Sequence, residues 1–462
     1  MNIKTLLSRI QKTSHTFDVT GLSLNTQSLQ KGDIFVAVQG TQKHGSEFIQ
    51  NAIDKGCIAV LVEDRNIQCS VPSIRINHLS SYLSDLAQTF YKEAQNIKLI
   101  GVTGTNGKTS VSLFISQLLE ALNVRTGVIG TLGISHSDNN TSNTTPDIFT
   151  IYKSLQEYSK KGIEVAIIEA SSHALTQNRL SGLAFEQAIF TNLTQDHLDY
   201  HETMEQYREA KGKLFSNSKA QTVIINRDDE NHSYFLDVAE DKMIKTFGID
   251  DFSDYQLSKK GFICRLFNFV FELPLLGYFN LSNALAAFVS IKSLGYSNDL
   301  VIPKLANLSP PSGRMQKLDR NNIWIDYAHT PNALSNALQT LHLHYPESKL
   351  RVVFGCGGDR DKSKRQQMGK IASELAHSII LTNDNPRNEQ PENIIKDILV
   401  GVKIENNTQV ILDRKIAINT AITTLNEDEV LLIAGKGHEI TQIIGSQVLP
   451  FSDIEIALDA LI

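Results

Sequence analysis

The chain has 462 residues, which at roughly 150 residues per domain corresponds to about three domains. Hydrophobic residues make up 41% and charged residues 20%, with 27 glycines and 11 prolines, a composition that excludes a disordered, fibrous or membrane-embedded chain. Lys plus Arg total 44 against 50 Asp plus Glu, and a net charge of −6 gives no global attraction to nucleic acid or an anionic membrane, so any anion site must be local.

The opening segment, Met1 to Phe17, has one apolar patch broken by Arg9 and Lys12, too brief for a signal sequence. No apolar run approaches the ~18 residues of a membrane span, so a cytoplasmic chain without membrane insertion is expected. Cys57, Cys69, Cys264 and Cys356 form neither a CxxC pair nor a zinc-ligand spacing and read as small hydrophobes in a reducing compartment. An apolar run from Asp33 to Val38, a polar turn, a helical stretch from Ser46 and a second strand from Ile58 to Val62 make a small α/β unit. After a helix ending near Ala94, the strand Lys98 to Val102 runs into a Gly-rich turn, which places a boundary near residue 95. Strands at Val165–Ile168, Gln187–Phe190 and Thr222–Ile225 alternate with helical patterns and predict a parallel sheet. The punctuation Pro310-Pro311-Ser312-Gly313 marks a second junction. Four more strands follow at Ile323–Ile325, Val352–Phe354, Ile379–Leu381 and Val430–Ile433, again α/β. Three domains are thus expected, over residues 1–95, 96–310 and 311–462.

The segment from Gly101 to Thr109 lies between a strand and a helix whose apolar face is Val111, Phe114, Ile115, Leu118, Leu119 and Leu122. Its glycines let successive N–H groups and the helix N-terminus face a phosphate, with Lys108 reaching the β/γ-phosphates and Thr109 able to ligate Mg²⁺. The pattern is a variant P-loop, because Val102 stands at the first glycine position of GxxxxGK[ST] and Gly104 lies inside the loop. Glu169 at a strand end suits Mg²⁺ as a hard oxygen ligand, whereas His197 is an odd choice for that ion. Singly, each is more simply a capping or ion-pairing residue.

Taken together the residues closely resemble the Mur ligase family, the ATP-dependent amino-acid ligases of peptidoglycan precursor synthesis. The resemblance spans the chain through Gly104-Thr-Asn-Gly-Lys-Thr109, Asn143-Thr-Thr-Pro146, Glu169-Ala-Ser-Ser-His173, Thr191-Asn-Leu-Thr-Gln-Asp-His197, Gly277-Tyr-Phe-Asn-Leu-Ser-Asn283, Gly313-Arg314 and Asp326-Tyr-Ala-His329. Gly355-Cys-Gly-Gly-Asp-Arg360, Asp384-Asn-Pro-Arg387 and Gly435-Lys-Gly-His-Glu439 resemble the branch that adds 2,6-diaminopimelate. The resemblance implies an N-terminal domain that holds the uridine diphosphate, a central P-loop ATPase domain and a Rossmann-like C-terminal domain for the incoming amino acid. It further implies that ATP phosphorylates the D-glutamate carboxylate of UDP-N-acetylmuramoyl-L-alanyl-D-glutamate, and that the amine attacks the acyl phosphate.

By the same resemblance Gly104, Thr105, Asn106, Gly107, Lys108, Thr109, Ser110, Asn283, Arg314, Asp326 and His329 would contact ATP. Two Mg²⁺ ions would be held by Thr109 and Glu169 and by His197 and Lys211. Lys211 matches the family's carbamylated lysine, a CO₂ adduct that turns an ammonium into a carboxylate, so Lys108, Lys211 and His197 would carry the chemistry. Thr26, Thr144, Thr145, Ser171, Gln177 and Arg179 match positions that hold the muramoyl dipeptide, and His173 is a cap on its turn. At Asn25-Thr26-Gln27 the chain departs from the family's Asp-Ser-Arg, keeping the hydroxyl and losing both charges.

Charge distinguishes the candidate amino acids, since diaminopimelate ends in an ammonium and a carboxylate and lysine in an ammonium alone. Arg387 supplies a guanidinium for that carboxylate and Glu439 a partner for the ammonium, with Arg360, Asp384, Asn385 and Gly435 completing the pocket and Arg365 a further candidate. With lysine bound, Arg387 would face no carboxylate, at a cost of several kcal/mol. A plain Asp384–Arg387 surface salt bridge is the structural alternative. A monomeric enzyme adding meso-diaminopimelate is expected, with an L-lysine-adding or other diamine ligase and, more remotely, a P-loop NTPase switch as the alternatives.

Overall fold

Short apolar runs between turns build the framework, in a computed structural model that describes residues 1–40, 43–137, 143–216, 220–318, 322–403 and 407–461. The chain divides into two compact units, Met1–Gly248 with Leu285–Val301, and Ile249–Ala284 with Ile302–Ile462.

In the first unit Leu22–Ser23 (β1), Ile34–Ala37 (β2), Ala59–Glu63 (β3) and Ser73–Ile76 (β4) pair in that order as a parallel sheet. Ile34, Val36, Ala59 and Leu61 enter one core while Phe35, Ala37, Val60 and Val62 enter another. That alternation at near-complete burial is what a parallel strand covered on both faces requires. The larger sheet comprises Lys98–Thr103 (β5), Thr126–Gly130 (β6), Gly133–Ile134 (β7), Val165–Glu169 (β8), Phe185–Phe190 (β9), Thr222–Asn226 (β10) and Met243–Phe247 (β11). Its order is β11-β10-β9-β5-β8-β6-β7, parallel except for the β6–β7 hairpin. Because β5 has β8 on one side and β9 on the other, the loop leaving β5 opens at the point where the winding reverses, the place where open α/β sheets bind ligands. The helix that follows, Lys108–Glu120, buries Val111, Phe114, Ile115, Leu118 and Leu119.

The second unit holds a parallel sheet of Gln316–Lys317 (β15), Ile323–Asp326 (β16), Lys349–Phe354 (β17), Ser378–Leu381 (β18), Asn407–Val410 (β19) and Glu429–Ala434 (β20), in the order β15-β16-β20-β17-β18-β19 with only β15 antiparallel. Asp326 at the end of β16, and Gly355, Thr382 and Gly435 just after β17, β18 and β20, therefore lie along one edge. Beside β1, β4, β6, β7, β11, β15 and β19, two larger elements fell outside the sequence expectations. They are the antiparallel sheet of Asp254–Ser258 (β12), Gly261–Leu266 (β13) and Phe269–Leu273 (β14), and the hairpin Thr441–Ile444 (β21) with Gln447–Pro450 (β22). Burial alternates along β13 and β14, which expose one face and carry apolar runs of only three residues, Phe262–Cys264 and Phe269–Phe271, too short to mark a strand by themselves. The architecture is α/β, as expected. Among the described residues no helix is long and apolar enough to cross a membrane. All four cysteines are free, and burial pushes the thiols of Cys264 and Cys356 up to about 12, which leaves them unreactive at neutral pH.

Candidate functional site

The turn after β5 is shaped by its glycines. Gly107 has φ 85° and opens the helix Lys108–Glu120, and Gly104 has φ 152°. A Cβ on Gly104 would run into the Thr191 hydroxyl, which itself donates to the Asn106 carbonyl at 2.6 Å. Thr105 N donates to the Asn192 carbonyl at 2.8 Å and Asn106 N to Asn192 Oδ1 at 2.9 Å, so the segment after β9 braces the loop. Lys108 folds back, its Nζ donating to the carbonyls of Gly104 and Thr105 at 2.9 Å each. Gly104→Ala is expected to strain this loop by about 1–3 kcal/mol and to weaken ATP binding more than tenfold in titration calorimetry.

Glu169, at the end of β8, is 1% exposed and accepts three bonds. They come from the Thr109 hydroxyl at 3.0 Å, the Thr131 hydroxyl at 3.0 Å and the Thr131 N–H at 2.9 Å. A carboxylate and a hydroxyl meeting beside a P-loop lysine form a hard oxygen pair that fits Mg²⁺. Among the described residues no three His, Cys, Asp or Glu side chains cluster in a way that could hold a metal ion by themselves.

Lys211, on the helix Met204–Gly212, is 1% exposed. Its Nζ donates to the Gly104 carbonyl at 2.8 Å and lies 4.2 Å from the centre of the Tyr207 ring. Among the described residues no carboxylate pairs with it, and burial, reinforced by Lys108, drives its pKa well below that of an ordinary lysine. His197 sits at φ 53° with its ring 6.2 Å from that of Tyr207 and its Nε2 3.6 Å from Asp196 Oδ2. His173 is not the cap expected from the sequence: Ser171 caps the helix Ser172–Thr176, accepting from Ala174 N, and His173 lies inside it, packed against the rings of His197, Tyr200 and His201.

Four of the residues predicted to hold the dipeptide gather beyond β8. Thr145 Oγ1 donates toward Ser171 Oγ at 2.9 Å and to the Glu169 carbonyl at 2.6 Å. Arg179 Nη1 donates to the Thr145 carbonyl at 2.6 Å, while Nε and Nη2 donate to Gln177 Oε1 at 3.0 and 2.6 Å. Thr144 joins through Thr131, 3.2 Å away. Thr26 lies apart from them in the turn after β1, where Asn25 Oδ1 accepts from Gln27 N at 2.8 Å.

In the second unit Asp326 ends β16 and is almost fully buried, accepting from Met315 N at 2.7 Å. Arg314 lies 4.6 Å over the Tyr327 ring, and its buried Nε has no hydrogen-bond partner among the described residues. His329 is exposed beside Tyr327, and Asn283 donates to Asn280 Oδ1 at 3.2 Å. Burial raises the Asp326 pKa to about 6, against the nearby Arg314, which lowers it. The folded state thus holds this proton between about pH 4 and pH 6 while the unfolded chain has lost it, and the contribution of Asp326 to stability falls as pH rises through that window. Asp326→Asn removes the titration, so the stability of the variant relative to the parent is expected to grow by as much as about 3 kcal/mol from pH 4 to pH 7. Urea midpoints at the two pH values check this.

The loops after β18 and β20 carry the predicted amino-acid pocket. Asn385 Nδ2 donates to Glu439 Oε2 at 3.1 Å, and Gly435, at φ 118°, lies against Asp384, whose Oδ2 is 2.7 Å from where a Cβ would stand. Arg387, held at φ 49°, donates through Nη1 to the carbonyls of Gly358 and Asn385 at 2.9 and 3.4 Å. No salt bridge joins it to Asp384 among the described residues, so the plain structural alternative is absent. Arg360 is exposed. Arg365 is otherwise engaged, fully buried in ion pairs with Glu389 and Asp397 at 2.8 and 2.9 Å. Sequence reasoning missed Thr131, because β6 was not read as a strand. It also missed Arg414, whose ion pair with Asp453 is fully buried and which donates to the carbonyls of Asn383 and Ala434.

Comparison with known proteins places the chain in a family. The Mur ligase family catalytic domain model matches residues 18–91, the Mur ligase middle domain 102–291 and the Mur ligase glutamate ligase domain 313–437. The chain is 39% identical to the UDP-N-acetylmuramoyl-L-alanyl-D-glutamate–2,6-diaminopimelate ligase of Haemophilus influenzae strain PittGG, over 99% of each chain. The chain belongs to the Mur ligase family. This Mur ligase is also 40% identical to the ligase of the same name from Coxiella burnetii, over 96% of each chain. Among solved structures it resembles one of a UDP-N-acetylmuramoyl-L-alanyl-D-glutamate–2,6-diaminopimelate ligase, with a TM-score of 0.70, 32% identity and coverage of 100% and 99%. A folylpolyglutamate synthase from Mycobacterium tuberculosis, at TM-score 0.60, 19% identity and coverage of 77% and 91%, shares the fold.

Proposed function

We propose that this Mur ligase joins meso-2,6-diaminopimelate to the D-glutamate of UDP-N-acetylmuramoyl-L-alanyl-D-glutamate, consuming ATP. The observation that carries the reading is the pairing of charges in the amino-acid pocket. Arg387 spends its hydrogen bonds on neutral carbonyls, and among the described residues Glu439 Oε1 has no hydrogen-bond partner. A guanidinium and a carboxylate oxygen so disposed match the carboxylate and ammonium at the far end of diaminopimelate. Relatives 36–40% identical over nearly their whole length bear that activity in their names, which supports it.

In this reading residues 1–95 hold the uridine diphosphate, 96–310 the ATP and 311–462 the amino acid. Lys108 neutralises the triphosphate as the γ-phosphoryl group passes to the D-glutamate carboxylate. The amine then attacks the acyl carbon, phosphate leaves and the ammonium proton goes to solvent. Thr109 and Glu169 would hold one Mg²⁺, and His197 with Lys211 a second, the ions supplying charge neutralisation between two anionic reactants. Lys211 would act as its carbamate. The amine favoured by burial attacks CO₂, an N–C bond forms and one proton is released, converting a poor metal partner into a carboxylate-like one. Thr144, Thr145, Ser171, Gln177 and Arg179 would bind the dipeptide, and Thr26 the uridine diphosphate. Asn283, Arg314, Asp326 and His329 would complete the nucleotide contacts. The reaction belongs in the cytoplasm, with a monomeric chain acting on small molecules.

The test is ADP release with Mg²⁺, ATP, bicarbonate and the UDP-dipeptide, in parallel with meso-diaminopimelate, L-lysine or no amine. Stimulation by diaminopimelate alone is expected. Stimulation by lysine would overturn the reading of Arg387, and amine-independent turnover would identify an NTPase switch instead.

A further inference from the structure

Three side chains from two loops close a ring at the edge of the six-stranded sheet. Lys436 Nζ donates to Glu439 Oε2 at 2.8 Å and to Asn385 Oδ1 at 3.1 Å, and Asn385 Nδ2 donates to the same Glu439 oxygen at 3.1 Å. Ile443 N also donates to Asn385 Oδ1, at 2.9 Å, so two donors converge on that oxygen and fix which way the amide faces. The Lys436 side chain is fully buried, whereas Glu439 keeps 31% of its side-chain surface exposed. A buried ammonium is tolerated only when paired, and both of its acceptors are pocket residues. The flanking glycines, Gly435 at φ 118° and Gly437 at φ 54°, give the loop the turn that carries this lysine inward.

We infer that Lys436 is a positioning residue that sets the specificity of the amino-acid pocket. It immobilises one oxygen of Glu439 and leaves the other for an ammonium. With Arg360 and Arg387 it also leaves the pocket one formal positive charge in excess over Asp384 and Glu439. Such a pocket disfavours lysine, which brings a further unmatched positive charge, relative to diaminopimelate, which is neutral overall and brings a second carboxylate. Without Lys436 that excess charge would be gone and Glu439 would turn freely, so diaminopimelate would lose affinity while lysine gained relative to it. The inference rests on the pocket assignment made under the proposed function.

The experiment measures steady-state ADP release by the full chain, comparing the parent, Lys436→Met, Glu439→Gln and the double variant with meso-diaminopimelate and L-lysine. Lys436→Met is expected to raise KM for diaminopimelate about tenfold or more and to leave KM for ATP within about twofold. The preference for diaminopimelate over lysine in kcat/KM should narrow at least tenfold. The double variant should be no worse than Glu439→Gln alone, because Lys436 acts through that carboxylate. An unchanged preference, or losses that multiply in the double variant, would reduce Lys436 to a fold-stabilising residue. If circular dichroism shows Lys436→Met unfolded, Lys436→Gln, which keeps one donor, carries the same cycle and the same criteria. A parent enzyme unresponsive to diaminopimelate would overturn the pocket assignment itself, and that is seen before any variant is made.

Discussion

Replacing Lys211 by methionine is expected to lower amide formation at least about a thousandfold, some 4 kcal/mol of transition-state stabilisation, without lowering the thermal midpoint. The two halves of this expectation have separate causes. Methionine fills nearly the same volume beside Tyr207 and carries no charge, so the fold loses a buried polar group whose hydrogen-bond acceptor among the described residues is the Gly104 carbonyl alone. Catalysis loses the one side chain in that position able to take up CO₂ and present oxygens to a metal. Activity of the parent should accordingly fall in CO₂-depleted buffer and return with bicarbonate, while Lys211→Met responds to neither. Retention of more than a tenth of the parent rate by the variant would exclude the carbamate.

Arg387→Lys is expected to reduce kcat/KM for diaminopimelate by roughly thirty- to a hundredfold, about 2–3 kcal/mol, with ATP binding unchanged. An ammonium keeps the charge but not the planar fork. One nitrogen would have to serve both the carbonyls of Gly358 and Asn385 and a ligand carboxylate, three acceptors that the guanidinium can divide among its five donors. The backbone offers no compensation, because position 387 is held at φ 49° by the bonds of its N–H and C=O to Ile443 and Gly445, so a shorter reach cannot be made up by the main chain. Titration of each variant with a non-hydrolysable ATP analogue alongside amine kinetics separates the two effects. Parallel losses in both would count against Arg387 as a diaminopimelate contact.

The parallel strands were legible because burial on both faces demands uninterrupted apolar residues, as in Val165–Ile168 and Val430–Ile433. The P-loop was legible because glycine spacing and Lys108-Thr109 are local chemistry. Other features depend on residues far apart in the chain, and nothing local announces them. Thr131 reaches Glu169 across the sheet, Arg414 reaches Asp453 and two loop carbonyls, and Lys436 reads in sequence as one more basic residue between glycines. Arg365 failed in the opposite direction. A basic residue five positions after Arg360 is a reasonable ligand contact until its partners Glu389 and Asp397 are seen.

One carbonyl oxygen, that of Gly104, receives both Lys108 and Lys211. The amine that would capture CO₂ and the cation that would meet the triphosphate are therefore moored to the same peptide plane. A rotation of that plane, at a glycine whose φ of 152° few other residues adopt, would cost each lysine one bond, and the effect would be unequal, because Lys108 keeps the Thr105 carbonyl. The geometry of one glycine thus bears on both the residue proposed to meet the triphosphate and the residue proposed to take up CO₂.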